Sequence, residues 1–129
     1  MALELWKDRE QKKLDPELFS TKAEDFAQKI SSEATATTNK GTQLRKFFDE
    51  ILRLKTLAQA PGADWNLILP QVHMVIAKTA YAKGRKLVSQ SFVNHVREGV
   101  EQIETEEDLR IFCNHMEAFM GFYKMYNDN

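Results

Sequence analysis

The chain has 129 residues, 43% of them hydrophobic, 29% charged, and a formal net charge of −1. That is one domain's worth of chain, able to bury roughly two thirds of its unfolded surface without a metal or disulfide. No apolar run approaches the ~18 residues of a membrane span, no basic-then-apolar leader follows Met1, and the single cysteine, Cys113, cannot form an internal bridge, so a cytoplasmic protein with no membrane partner is expected.

In chain order, residues 1–20 mix charge with a few apolar side chains, Leu3, Leu5 and Trp6 among them, and are expected to be a loosely held end of a single domain over 1–129. Thr21-Lys22-Ala23-Glu24 has the spacing of a capping box, and Phe26 and Ile30 then share a face, so a helix is predicted over 21–33. "TATTNKGT" breaks it, because three threonines before Asn39, and then Gly41, make a poor helix interior. The next helix opens at Gly41, with Thr42 or Thr38 as its expected cap. Leu44, Phe47, Phe48, Ile51, Leu54 and Leu57 form its apolar stripe; Arg45, Lys46, Asp49 and Arg53 lie opposite. Pro61 and Gly62 end it and Asp64 caps the third.

From 65 to 83 the sequence is apolar nearly all round, which predicts a central, surrounded helix. Pro70 should either kink it or open a second segment, and Gly84 suits a left-handed C-cap. A fourth helix is expected over 89–103, on Phe92, Val96, Val100 and Ile103. Thr105 and the acids after it start a fifth, whose stripe runs from Leu109 to Tyr126. No strand pattern appears, so the predicted fold is all-α, a compact bundle of about five helices.

Catalytic constellations are missing. His73, His95 and His115 fall on different predicted helices, and no His-x-x-x-His, Cys-x-x-Cys or glycine-rich phosphate loop occurs. Cys113 sits on an apolar stripe and reads as a small hydrophobe. Neither an active site, a cofactor nor a metal is expected. Charge, however, is segregated. Residues 40–97 carry ten Lys/Arg and three Asp/Glu, a balance of +7, whereas 98–129 carry two and eight, a balance of −6. "YAKGRKL" concentrates Lys83, Arg85 and Lys86 at a helix end, where cations also offset the helix dipole. Joined to Arg45, Lys46 and Arg53, with Lys78 between, they would line a groove for a phosphate backbone. Tyr81 beside them is expected to pack in the core.

Three stretches, "TQLRKFFDEILRL", "AKTAYAKGRKL" and "FCNHMEAFMGFYKMY", resemble in order and spacing the small subunit of the type III-A CRISPR effector, the Csm complex. The resemblance runs from about Lys40 to Tyr126. It implies a non-catalytic all-α protein of antiviral defence. Several copies would stack beside the other Csm subunits and line the channel that holds guide RNA paired with target RNA. By position, Arg45, Lys46, Lys83 and Arg85 match the family's basic motifs; Arg53, Lys78 and Lys86 are added from charge and helical face. Tyr123 stands before Lys124 where the family often has histidine. The small subunit of the type III-B complex is a neighbouring alternative. The rival of another class is a helical adaptor or homodimer, its acidic last third docked on a second copy's basic middle. A DNA-reading helix-turn-helix fits less well, since no predicted helix pairs Arg with Asn or Gln after a compact turn.

Overall fold

The computed structural model describes residues 3–127. Met1 and Ala2, part of the segment expected to be loosely held, lie outside the described residues, as do Asp128 and Asn129. A 3-10 turn (Pro16–Phe19) precedes five helices: α1 (Thr21–Ser32), α2 (Gly41–Gln59), α3 (Trp65–Gly84), α4 (Gln90–Glu101) and α5 (Glu106–Tyr126). No strand occurs among the described residues. The all-α reading holds.

The centre of the bundle is α5, packed against α1 and α2, while α3 packs against α2 and α4. Leu109, Phe112, Met116, Phe119 and Tyr123 are each at most 1% exposed. Phe26, Phe47, Phe92, Phe119 and Tyr123 form a connected aromatic cluster, with ring centroids 4.5–6.3 Å apart. The N-terminal segment is tied to the far end of the chain. The Leu3 and Leu5 amides donate to Glu98 and Gln102 at 3.0 and 2.9 Å, and Leu5 is wholly buried.

Local expectations fared unevenly. Thr105 and Asp108 do form a capping box at α5, and Asp64 does cap α3 through the Asn66 amide. Thr21, by contrast, is already inside α1. Ser20 stands at the N-cap without a side-chain bond, because the Asp15-capped 3-10 turn runs straight into the helix. Glu24 instead accepts from the Tyr126 hydroxyl. Neither Thr38 nor Thr42 caps α2, whose N-cap is Lys40; the Thr38 hydroxyl donates to the Lys86 carbonyl. Pro70 lies inside one continuous α3. It is exposed there, so water can satisfy the carbonyl its missing N–H leaves free.

The end of α3 answers what "YAKGRKL" does locally. The left-handed residue is Lys86 (φ 64), not Gly84. The Leu87 amide reaches the Ala82 carbonyl at 2.9 Å and the Lys86 amide that of Lys83 at 2.9 Å. This is a Schellman closure with lysine where glycine is usual.

One close approach is absolute. Gly99 of α4 lies against α5, and a Cβ there would fall 2.2 Å from Phe112 Cε1. Phe112 is fully buried and cannot swing away. Gly99→Ala is therefore expected to cost up to about 2 kcal/mol net, overpacking of ~1–3 kcal/mol less the ~1 kcal/mol alanine gains in a helix. Gly121→Ala, on α5 with nothing within 4 Å, should be neutral or stabilising. Parallel denaturant titrations of the two variants would expose an error if their signs agreed.

Candidate nucleic-acid interface

Helices α2 and α3 lie antiparallel, as three pairings show. Asn39 meets Leu87 through backbone, Lys78 donates to Glu50 at 3.2 Å, and Arg53 reaches Gln71 at 3.5 Å. Helical spacing then places the cations. Lys46 and Arg53 stand one turn either side of Glu50, on the face of α2 that meets α3. Lys78 is on the matching face of α3. Arg85 and Lys86 follow at the end of the seam, where Thr38 and Asn39 dock the start of α2 against the α3–α4 turn. Lys46, Arg53, Lys78, Arg85 and Lys86 thus lie along one α2–α3 seam.

Arg45 and Lys83 do not. Arg45 is turned about 100° from Lys46 and lines a groove between α2 and α5 with Phe48, Leu52, Glu117, Met120, Gly121 and Lys124. It stands 4.0 Å from Asp49. Lys83 is turned about 140° from Lys78 and is half-buried.

A carboxylate missed in the sequence occupies the seam. Glu50 accepts from Arg53 at 2.9 and 2.8 Å and from Lys78 at 3.2 Å. Its carboxyl is pulled down to about 2, first by the Arg53 hydrogen bonds and then, against a counteracting burial, by Lys78. Arg53 and Lys78 are therefore orientated but partly neutralised. Lys46, Arg85 and Lys86 form no ion pair among the described residues. The Lys46–Glu50–Arg53 spacing was the signal that could have revealed Glu50.

Tyr81 does not pack in the core. It is 70% exposed, with the Arg85 guanidinium 6.0 Å from its ring centroid. Nor is α3 central: Leu67 and Met74 are also more than half exposed. The helix is apolar all round because it carries two apolar faces, one on the core and one turned outward. Periodicity alone does not distinguish that from full burial.

The histidines do not all stand alone. His95 and His115 meet at 2.9 Å, Nε2 to Nε2, and Phe26 stacks on His95 at 3.5 Å. Because the Leu18 carbonyl can only accept, His115 Nδ1, 2.7 Å away, carries a proton. Its Nε2 then accepts from His95. Burial holds both rings below the ordinary imidazole value, His95 further lowered by His115 and Lys29. The pair is a neutral pin between α4 and α5. Cys113 is buried, and burial pushes its thiol up to about 11, so little thiolate exists at neutral pH. No cluster of side chains suited to a metal occurs among the described residues, and no helix there is long and apolar enough to cross a membrane.

A family model described as Csm2 Type III-A matches residues 13–129, nearly the whole chain. The chain belongs to the Csm2 type III-A family. It is accordingly a small subunit of a type III-A Csm effector assembly, whose complex has other subunits. No curated protein and no solved structure matches it. The match covers the turn at Pro16–Phe19, all five helices and every seam cation, so the Csm2 assignment spans the helical bundle.

Proposed function

We propose that the chain is a non-catalytic, cytoplasmic Csm subunit that lines the channel holding guide RNA and target RNA, by contacts to phosphates. The observation that supports this most is the row of cations along the α2–α3 seam in a member of this family. Lys46, Arg85 and Lys86 supply unpaired charge, and Arg53 and Lys78 join them when phosphate displaces Glu50. Arg45 and Lys83 extend the positive surface to either side. Such contacts neutralise phosphates and release counterions without reading bases. Sequence is then read by pairing between the two RNA strands. Copies of the chain associate with one another and with other Csm subunits, and avidity among them compensates for weak single contacts.

The test is anisotropy of labelled single-stranded and paired RNA across a salt series. Changing Lys46, Arg85 and Lys86 together to Glu should weaken binding at least about tenfold and flatten the single-strand log–log salt slope by about 2, at ~0.7 for each phosphate no longer neutralised. Melting should barely move. Unchanged affinity and slope would rule the seam out.

A further inference from the structure

We propose that the His95–His115 pair is an acid-operated catch on the N-terminal arm. It keeps its hydrogen bond on taking up one proton and parts on taking up a second, releasing α4 and the arm that α4 holds. The inference rests on neither RNA binding nor self-association and uses no residue of the α2–α3 seam.

The geometry admits a proton and nothing larger. The two Nε2 atoms stand 2.9 Å apart between ring centroids 5.1 Å apart, so the nitrogens meet head to head. A metal ion between them would need about 4 Å, at ~2.0–2.1 Å to each nitrogen. His115 cannot turn away. It is wholly buried and its Nδ1–H is spent on the Leu18 carbonyl at 2.7 Å, so Nε2 is its one site for a further proton. His95 donates to that nitrogen from its own Nε2. His95 Nδ1 is then an acceptor, with no hydrogen-bond partner among the described residues.

His95 is the partly exposed ring of the two, and it lines a cleft of about 460 Å³ between α1, α4 and the arm. Three carboxylates share that cleft: Glu4 of the arm, Asp25 of α1 and Glu98 of α4. Its two lysines come from α1, and one of them, Lys22, is already paired with Asp15 at 2.8 Å. Three acids therefore face Lys29 alone, and a first proton on His95 Nδ1 is compensated. That proton also makes the bond to His115 charge-assisted and stronger. A second proton has only His115 Nε2 to occupy. Two N–H groups would then point at each other across 2.9 Å, and two like charges would share a buried site. The rings must separate.

The helix that gives way is α4, because α5 is the centre of the bundle. Glu98 and Gln102 follow His95 on α4 and its C-cap, and they hold the Leu3 and Leu5 amides. Gln102 also donates to the Leu3 carbonyl at 2.6 Å. Leu5 is wholly buried, so freeing the arm uncovers apolar surface. Burial holds both rings below the ordinary 6.5. The catch is therefore shut at neutral pH. Its contribution to stability is complete above that value and declines as pH falls below it.

The test is a titration of the full chain from about pH 7.5 to about pH 4, a range that spans the ordinary imidazole value. Ring-nitrogen NMR would follow the histidines, and hydrogen exchange would follow the Leu5 amide, whose acceptor Gln102 does not titrate. Protons should appear first on His95 Nδ1, with Leu5 protection unchanged. They should appear next on His115 Nε2, with Leu5 protection falling at least about tenfold. In His95→Gln the amide can donate to His115 Nε2 or, turned over, accept from it, so no like charge is met. Leu5 protection in that variant should persist where wild type loses it. Loosening of the arm through Asp108 would occur at lower pH and alike in both proteins. Both rings titrating with Leu5 still protected, His115 taking the first proton, or the same loss in His95→Gln would each overturn the proposal. Should the variant fold poorly, the order of events in wild type still decides.

Discussion

Asp108→Ala is expected to cost about 3–5 kcal/mol, from an indole and two backbone amides left unpaired at ~1–3 kcal/mol each and the loss of a helix cap; its ionic partner Arg9 is 43% exposed and adds little. In a chain of this length that lowers the melting temperature by roughly 10–20 °C. Asp108 is 1% exposed and its carboxylate is fully used. It accepts from the Trp6 indole at 2.7 Å, from Arg9 at 3.0 Å on both oxygens, and from the Glu104 and Thr105 amides at 2.9 and 3.1 Å. One side chain thus caps α5 and fastens a segment about a hundred positions away. Alanine would leave two amides, an indole and a guanidinium without their acceptor. Burial by itself would raise the carboxyl, but the bonds from Trp6, the two amides and Arg9 outweigh it and hold it below its ordinary 3.8. A depressed folded value means the stabilisation is fully present above the unfolded value. It is lost as pH falls through the folded one. The gap between wild type and Asp108→Ala should therefore be constant near neutrality and narrow below about pH 4. Thermal melts from pH 7 to pH 2 would measure it; a neutral-pH gap under about 1 kcal/mol would contradict the geometry.

Asn39→Ala should cost about 2–4 kcal/mol, from buried groups left unpaired at ~1–3 kcal/mol and a left-handed backbone that alanine tolerates poorly. Asn39 is wholly buried at φ 60. Its amide nitrogen donates to the Ile30 carbonyl at 3.1 Å and to Ser89 Oγ at 3.0 Å; its side-chain oxygen accepts from the Ser89 amide at 2.9 Å. Its own carbonyl accepts from the Tyr123 hydroxyl. The end of α1, the α3–α4 turn and the last turn of α5 therefore meet on one loop residue, which also seats Lys40 beside the Lys86 turn. Tyr123→Phe removes a single bond of this hub and should cost only ~1 kcal/mol. Urea titrations of both variants test the ranking. Equal losses would mean that Asn39 is not the hub.

The local code of this chain was legible where one element suffices. Apolar spacing at three and four residues marked the five helices, and Thr105 and Asp64 marked two starts, since a cap and its amide lie within one turn. Charge segregation and the ordered basic motifs pointed to the family. What the sequence by itself did not determine depended on partners far along the chain. Asn39 read as part of a plain loop, because its partners are set by helix packing. His95 and His115 read as separate, because twenty residues and a turn stand between them. The two-faced character of α3 was hidden, because an apolar residue looks the same whether it meets its own core or solvent. Among the seven cations, Arg45 and Lys46 read together, as neighbours on the polar side of α2. Only tertiary packing decided which phase faced α3, and it brought Glu50 to the pair it holds. Helix formation is settled by neighbours within a turn, whereas a surface is settled by which helices come to lie side by side.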